Sequence, residues 1–410
     1  MTTPDTRPDP HLTPRAEYTA YTTAFLSVGT MPMFHVVGPL WALSFGASPF
    51  EIGIAMGARS FLPFLFAIHG GALHDRLGVR RVMIFCALSS AALTLLYPFF
   101  PVILALILLQ VITGFLHTLG WIGAQTQISQ LTKGHPKYMG RFTSASTISN
   151  FFTPPLAGFM WDLAGPWGAF SLLSVWCVFL WISVMLMPVP DTVTVSKGPP
   201  SWRAMLPSIG DYRDALRLAL IPAVGFVIAG SFLINSMLSV RFSFLPVYME
   251  SIGFEGTVIG FMVGLAFLVG SITALPTARL RRLFPAHWIL VCVTLFAATG
   301  LGIIPFFDDL EGLVFVTILF GAGVGLGMAL AISLLSSVIS VDQLGLSVGL
   351  RITANRFSSF SIPILAGAII DVAGLAMGFY VTATLIAAGS VCTALYAWCT
   401  PSIKHAYGRN

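Results

Sequence analysis

The sequence predicts an all-α membrane protein whose twelve transmembrane helices form two pseudo-symmetric six-helix bundles, and three observations carry that prediction. The first is composition: 56% of the 410 residues are hydrophobic, only 9% are charged, and mean hydropathy is +0.87. Soluble domains carry about 25% charged residues, so this composition excludes an ordinary cytosolic enzyme and makes the bilayer the natural solvent. The second is a succession of apolar stretches of spanning length, and the third is a repeat at half the chain. A net charge of +5 raises nucleic-acid binding, but the basic residues sit in short runs between apolar stretches and form no basic face. Neither DNA nor RNA is expected as a partner.

A spanning helix needs about 20 mostly apolar residues. Such stretches fall at 19–43, 50–72, 80–98, 101–128, 142–162, 166–188, 218–248, 256–278, 285–305, 312–338, 348–371 and 377–399. They group into a first bundle at 19–188 and a second at 218–399, joined by a polar linker at 189–217 that contains Asp191, Lys197, Arg203, Asp211, Arg213, Asp214 and Arg217. Residues 1–18 and 400–410 are tails. The first carries four prolines and no apolar core after a basic start, so it reads as a disordered tail and not a signal peptide.

Orientation follows from the basic residues, which are retained in the cytoplasm. With both ends inside, seventeen of the 21 Lys and Arg fall in cytoplasmic segments, from Arg7 and Arg15 through Arg279, Arg281 and Arg282 to Lys404 and Arg409. No outer loop holds one. The outer edges instead carry Glu51, Asp162, Glu250, Glu255, Asp308, Asp309, Glu311 and Asp371. This places the chain in an inner or plasma membrane with both termini cytoplasmic.

The repeat pairs the fifth span with the eleventh. Pro154-Pro155-Leu156-Ala157-Gly158 through Asp162-Leu163-Ala164-Gly165 matches Pro363-Ile364-Leu365-Ala366-Gly367 through Asp371-Val372-Ala373-Gly374, 209 residues on (154 to 363). Ile52-Gly53 and Gly57 match Ile259-Gly260 and Gly264, 207 residues on (52 to 259). Duplicated halves are a common plan of secondary transporters, in which a site between them is exposed to each side in turn.

After the second span comes Gly71-Ala72-Leu73-His74-Asp75-Arg76-Leu77-Gly78-Val79-Arg80-Arg81. Its acid can cap a neighbouring helix while its arginines pair with acids or lipid phosphates, so the segment reads as a conformational latch, with topological anchoring as the plainer alternative. This loop resembles the signature between helices two and three of the major facilitator superfamily, with Val79 in place of one usual basic residue. The resemblance extends over the whole chain in length, span number and central linker. It implies a transporter working by alternating access, and it makes Gly71, Asp75, Arg76, Gly78 and Arg81 the latch. Two further family patterns are present in part. Gln110 precedes Gly114 at the spacing where many proton-coupled members carry an arginine, which argues against ordinary proton coupling. Thr153-Pro154-Pro155-Leu156-Ala157-Gly158 resembles a pattern of exporters with Thr153 in place of glycine, which leans towards export.

Other patterns carry no chemistry. Gly345-Leu346-Ser347-Val348-Gly349 spells a hydrolase nucleophile motif but enters a spanning helix and lacks the strand-turn-helix elbow. Gly321, Gly323, Gly325 and Gly327 follow no strand and suit close helix packing in lipid. The five cysteines lie in apolar stretches without metal-ligand spacing, and no metal or cofactor is expected.

An ionisable residue inside a span marks a functional candidate, because burying its charge costs about 3 kcal/mol or more. Arg59 lies about 18 Å from the inner end of the second span, measured to Gly71, in an apolar core about 30 Å thick. Arg241 lies in the outer half of the seventh span, at a level matched by His35 in the first through the repeat. Arg356 is about 10 Å inside the eleventh, and His117 is mid-span in the fourth. No Asp or Glu occupies the middle of a span. Arginines without carboxylates favour an anion, since the cargo can supply the missing partner. The expected substrate is therefore a small organic anion, a carboxylate or acidic metabolite, held by Arg59, Arg241 and Arg356, with His35, His117, Gln110 and Asn235 completing the polar set. The competing reading of each arginine is a bond to backbone carbonyls or to Asn150, Asn235, Asn355 or Gln125, or a place in a gate. A coupling proton would use His35 or His117; exchange against a counter-anion would need neither. Met31, Phe34, Trp41, Phe242 and Phe244 keep open a second function, efflux of amphipathic drugs or metabolites. A third is a receptor that transports nothing. The chain is expected to work as a monomer.

Overall fold

A computed structural model of the chain describes residues 13–66, 74, 77–188, 217–339 and 341–408, and of 341–345 the backbone alone. Among these residues the structure is helical, with no strand. The first half comprises α1 (Pro14–Ser44), α2 (Pro49–Ala58), α3 (Phe61–Leu65), α4 (Val79–Leu96), α5 (Ile103–Thr132) and α6 (Pro136–Leu186). The second comprises α7 (Pro222–Ser251), α8 (Gly256–Ala274), α9 (Thr277–Leu283), α10 (Ala286–Gly302), α11 (Leu310–Val338), α12 (Val341–Ala373), α13 (Leu375–Cys399) and α14 (Pro401–Tyr407). The expected linker, apart from Arg217, lies outside the described residues, as do Gly71, Asp75 and Arg76 of the expected latch.

Nine helices among the described residues are long and apolar enough to cross a membrane. Four expected spans differ in detail. The fifth and sixth form the single 51-residue element α6, bent at Ala164 and Gly165, where a glycine φ of 60° turns the chain just before Pro166. The ninth, α10, is an apolar helix of 17 residues. The second is broken, because α2 stops at Ala58 and α3 starts at Phe61. Pro63 weakens the helix here: it has no N–H to give the Arg59 carbonyl four residues back and its ring crowds that carbonyl, which favours a break at this point.

Two faces of the bundle can be distinguished. Arg141 and Glu17 pair, joining the starts of α1 and α6. From there the first arm of α6 runs to Asp162, which meets Gly256 at the start of α8. The starts of α1, α6 and α7 therefore lie on one face, called here the terminal face, and the α1–α2 and α7–α8 turns lie on the far face.

The halves meet along two seams in which one helix of each lies directly against the backbone of a helix of the other. At Gly53 and Gly57 of α2, an added Cβ would collide with the carbonyl oxygens of Pro363 and Phe360 in α12. At Gly260 and Gly264 of α8, it would collide with those of Pro154 and Phe151 in α6. Further towards the far face, Gly367 meets Pro49 and Gly158 meets Gly256 in the same manner. These contacts are the sequence repeat written in space, each pair in one seam having its counterpart in the other. Small residues of this kind let backbones approach within weak Cα–H···O contact, which substitutes in lipid for a hydrophobic driving force.

Candidate functional site

Between the seams lies a central cavity of about 210 Å³. Its wall from the first half includes Met31, Phe34, His35, Met56, Arg59 and Gln110, and its wall from the second includes Asn235, Ser239, Phe242, Phe267, Arg356 and Ser359. A smaller chamber of about 120 Å³ adjoins it towards the terminal face, lined by Ser27, Thr30, His117, Thr118 and Trp121 and again by Arg59 and Arg356. The two arginines thus stand at the boundary of both chambers.

Arg59 is set in place by three helices. It sits at the break that follows α2, where the helix has ended, and Gly114 of α5 abuts it so closely that a Cβ there would strike the Arg59 carbonyl and side chain. One guanidinium nitrogen donates to Gln110 Oε1 at 3.3 Å and the other terminal nitrogen to His117 Nδ1 at 2.9 Å. Since a guanidinium only donates, His117 accepts at Nδ1 and carries its proton on Nε2. The guanidinium carbon lies 4.5 Å from the ring centre of Phe34, a cation–π contact. Phe34 is itself packed against Tyr97 and Phe170, and Tyr97 hydrogen-bonds Thr113 at 2.8 Å. Gln110 Nε2 and His117 Nε2 are buried and have no partner among the described residues. The site therefore retains two unspent donors beside a fixed cation.

Across the cavity, Arg356 makes no hydrogen bond or ion pair with any described residue. Asn235 is held by the Asn355 carbonyl at 2.7 Å and by Ser359 Oγ at 2.8 Å, which ties α7 to α12. His35 stacks face to face on Phe242, with ring centres 4.2 Å apart. The 207-residue repeat relates these two positions, so they meet where a residue next to a pseudo-twofold axis meets its own counterpart. No Asp or Glu lines either chamber.

Of the expected binding residues, Arg59, Arg356, His35, Gln110 and Asn235 line the central cavity, and His117 lines the adjoining chamber. Arg241 is placed elsewhere. It is buried in the core of the second half, where it donates to Thr317 Oγ1 at 2.7 Å and lies 4.7 Å over the ring of Phe320. Helical period explains the difference: Asn235, Leu238, Ser239 and Phe242 form one stripe of α7 facing the cavity, and Arg241 projects from another side towards α11. Its Nε and Nη1 are unpartnered. Of the expected latch, Gly78 starts α4 at a φ of 83°, in the region that favours glycine, and Arg81 is exposed on the first turn. Sequence reasoning missed Ser239, Ser243 and Ser359 as cavity groups; their spacing from Asn235 and Asn355 along one helical face was the available signal.

A bundle of apolar helices with an internal twofold repeat and a polar chamber at its centre defines a multi-pass membrane transporter. The chain belongs to the major facilitator superfamily, whose sequence profile matches residues 20–308 and 227–407. Its fold is similar to that of the nucleoside transporter NupG, with a TM-score of 0.75 and 12% identity over 93% of this chain and 98% of that one. A point mutant of NupG gives a TM-score of 0.77 at 12% identity, over 94% and 99% of the two chains. A bacterial homologue of the human lysosomal transporter Spinster, in an inward-facing and unoccupied conformation, gives a TM-score of 0.75 at 13% identity, over 97% and 99%. At these identities the likeness is one of fold. Comparison with curated proteins gives no match.

Proposed function

We propose that the protein is a secondary transporter of a small organic anion, a carboxylate or acidic metabolite, moved by alternating access between a first bundle at 19–188 and a second at 218–399. One observation carries the substrate class: Arg59 and Arg356 share two chambers that no carboxylate among the described residues lines, and Arg356 has no partner among those residues. Removing a cation from water costs several kcal/mol unless an opposite charge or a full set of acceptors replaces the lost hydration. An incoming carboxylate supplies both. Gln110 and His117 add neutral donors to orient it, Asn235 holds the wall that carries Arg356, and the cavity of about 210 Å³ suits a small cargo. Arg241 is assigned no contact with cargo in this conformation. His35 and His117 are the groups through which a proton would couple, and exchange against a second anion is the alternative cycle. The protein would sit in the inner membrane with its terminal face cytoplasmic, and would work as a monomer.

A second reading, efflux of amphipathic compounds, is favoured by the Met31, Phe34, Met56, Phe242 and Phe267 part of the wall. The two are separated by thermal-shift titration of the purified protein with a panel of small carboxylates and cationic amphiphiles, followed by counterflow in liposomes with the best ligand. The anion reading expects carboxylates alone to stabilise the protein, and Arg356→Ala to weaken them by about tenfold or more, the scale of a charge-assisted hydrogen bond. Stabilisation by cationic amphiphiles, unaffected by Arg356→Ala, would establish the second reading instead.

A further inference from the structure

The largest described cavity is not the central one. It measures about 720 Å³ and opens at the terminal-face ends of α8, α10 and α11, with α9 and α14 as its remaining walls. Two arginines line it, and no carboxylate among the described residues does. Arg281 donates to the Ser333 hydroxyl on α11, which fixes its guanidinium against the cavity wall. Arg282, next to it, is exposed and has no partner among the described residues. Small side chains, Ala274, Ala278, Ala286 and Ala329 among them, keep the space open. The wall formed by α14 is anchored, because Tyr407 is buried and donates from its hydroxyl to the Ala223 carbonyl at 3.1 Å. Burial pushes the Tyr407 phenol above its ordinary range, against the pull of nearby Arg281, so it remains a neutral donor.

This basic cavity adjoins an apolar one. A cleft of about 290 Å³ between α7, α8 and α11 shares Ala274 and Ala329 with it and continues past Phe320, Val324, Met328 and Ile332 towards Phe242. The rim around the basic end is lipid-facing in character: Leu275 is 80% exposed, and Leu283 and Phe284 are exposed beside it. Lys404 lies over the ring of Trp398, which packs with Trp288, an arrangement typical of the level where headgroups begin. A polar, cationic chamber that leads directly into an apolar cleft has the shape and charge of one kind of molecule.

We propose that this paired cavity holds an anionic phospholipid, its phosphate on Arg281 and Arg282 and an acyl chain in the cleft lined by Phe320 and Met328. Arginine forks suit phosphate oxygens, and basic recesses at helix ends on the headgroup level recruit anionic lipids. The chemistry shared with any soluble competitor is the phosphate group. The exposed leucines and the apolar cleft favour the lipid over a free phosphate compound. The phosphate end of the site is separate from the cavity proposed for cargo, while the apolar cleft reaches it at Leu238, Phe242 and Phe267, and the lipid assignment does not depend on the cargo reading.

Native mass spectrometry of the purified full-length protein, equilibrated with equal amounts of phosphatidylglycerol and phosphatidylcholine of the same chain length, tests this. Phosphatidylglycerol should be retained preferentially, and Arg282→Ala should reduce that preference about fivefold, with a further loss of similar size in the Arg281→Ala/Arg282→Ala pair. Arg279→Ala removes the same charge from the same short helix without lining the cavity, and should change retention less than twofold. Equal losses from Arg279→Ala and Arg282→Ala would mean attraction to the surface as a whole and would overturn the site. The source is read from a second arm, thermal stabilisation by inorganic phosphate, glycerol phosphate and phosphatidylglycerols of short and long chain. Stabilisation that grows with chain length supports the lipid. Equal stabilisation by glycerol phosphate would overturn it in favour of a soluble phosphate.

Discussion

The two seams that join the halves are built alike and closed differently. In both, glycines on one helix receive backbone carbonyls from its partner, at positions the repeat relates one to one. The difference lies at the far-face helix starts. The start of α8 has no side-chain cap of its own, and its exposed amides are taken by Asp162 from the other half: Oδ1 accepts from Gly256 N at 2.7 Å, and Oδ2 from Thr257 N at 2.7 Å and the Thr257 hydroxyl at 2.6 Å. The start of α2 caps itself, with Ser48 accepting from Glu51 N at 3.3 Å and Glu51 accepting from Ser48 N at 2.8 Å. Asp371, the repeat counterpart of Asp162, is exposed as Asp162 is, but makes no hydrogen bond with any described residue. One seam is therefore a latch whose release breaks three hydrogen bonds between a carboxylate and a helix start, and the other can part without losing a hydrogen bond at its helix start. Duplication gave both halves the same packing, and a local cap decided which of them is locked.

The likeness of the seams is open to the strongest perturbation. Gly53→Val and Gly260→Val each place two methyl groups against a carbonyl that already lies too near for a Cβ, so neither variant can close its seam on the far face. Transport in liposomes should fall more than tenfold in both, with far-face residues near each seam open to thiol reagents after cysteine substitution. Full activity in either variant would show that the seam containing it does not need to close in the cycle.

The difference between the seams is tested at the acids. Loss of a charged cap at a helix start costs about 1–2 kcal/mol, or five- to thirtyfold in an equilibrium between closed and open far faces. Asp162→Asn should shift the population towards the far-face-open state by that factor, measured as distance distributions between spin labels at the far ends of α6 and α8. Asp371→Asn should leave them unchanged. Equal shifts from the two variants would remove the distinction drawn between the seams.

Much of this architecture was legible in the sequence, and the reasons are physical. Apolar runs of spanning length report the solvent, and the two registers of the repeat already pointed to the glycine pairs that form the seams. Gln110, singled out because it occupies a position where related transporters carry an arginine, is the residue that receives Arg59, so the cation reaches the same helix from a neighbour. The capping asymmetry and the place of Arg241 were not legible. Depth along a helix is read from residue counting, but rotation is decided by packing, and Arg241 lies one position from the cavity stripe of α7. The break before Arg59 was readable from Pro63, whose missing N–H falls four residues on. The different fates of Asp162 and Asp371 depend on Pro49, which has no N–H where Gly256 has one, and on the capping box of Ser48 and Glu51, all more than a hundred residues from either acid.

That dependence gives the smallest and most discriminating expectation. Gly367 meets Pro49 as Gly158 meets Gly256, so Asp371 stands one helical turn from the start of α2 in the arrangement that lets Asp162 reach α8. Two features keep Asp371 idle: Pro49, at the position of Gly256, has no N–H to give it, and Ser48 and Glu51 satisfy the amides on either side of Pro49 and Phe50. Ser48→Ala/Glu51→Ala removes the competitor and should lower stability by about 1 kcal/mol, the usual cost of a lost cap. In that background Asp371 becomes the available acceptor, and adding Asp371→Asn should cost a further 0.5–1 kcal/mol, about two- to fivefold in the far-face equilibrium, that it does not cost in the native chain. A double-mutant cycle on thermal unfolding and on the α2–α12 spin-label distance measures that coupling. A coupling energy of zero would place Asp371 out of reach of α2 and assign the asymmetry of the seams to the acid's position, not to the cap.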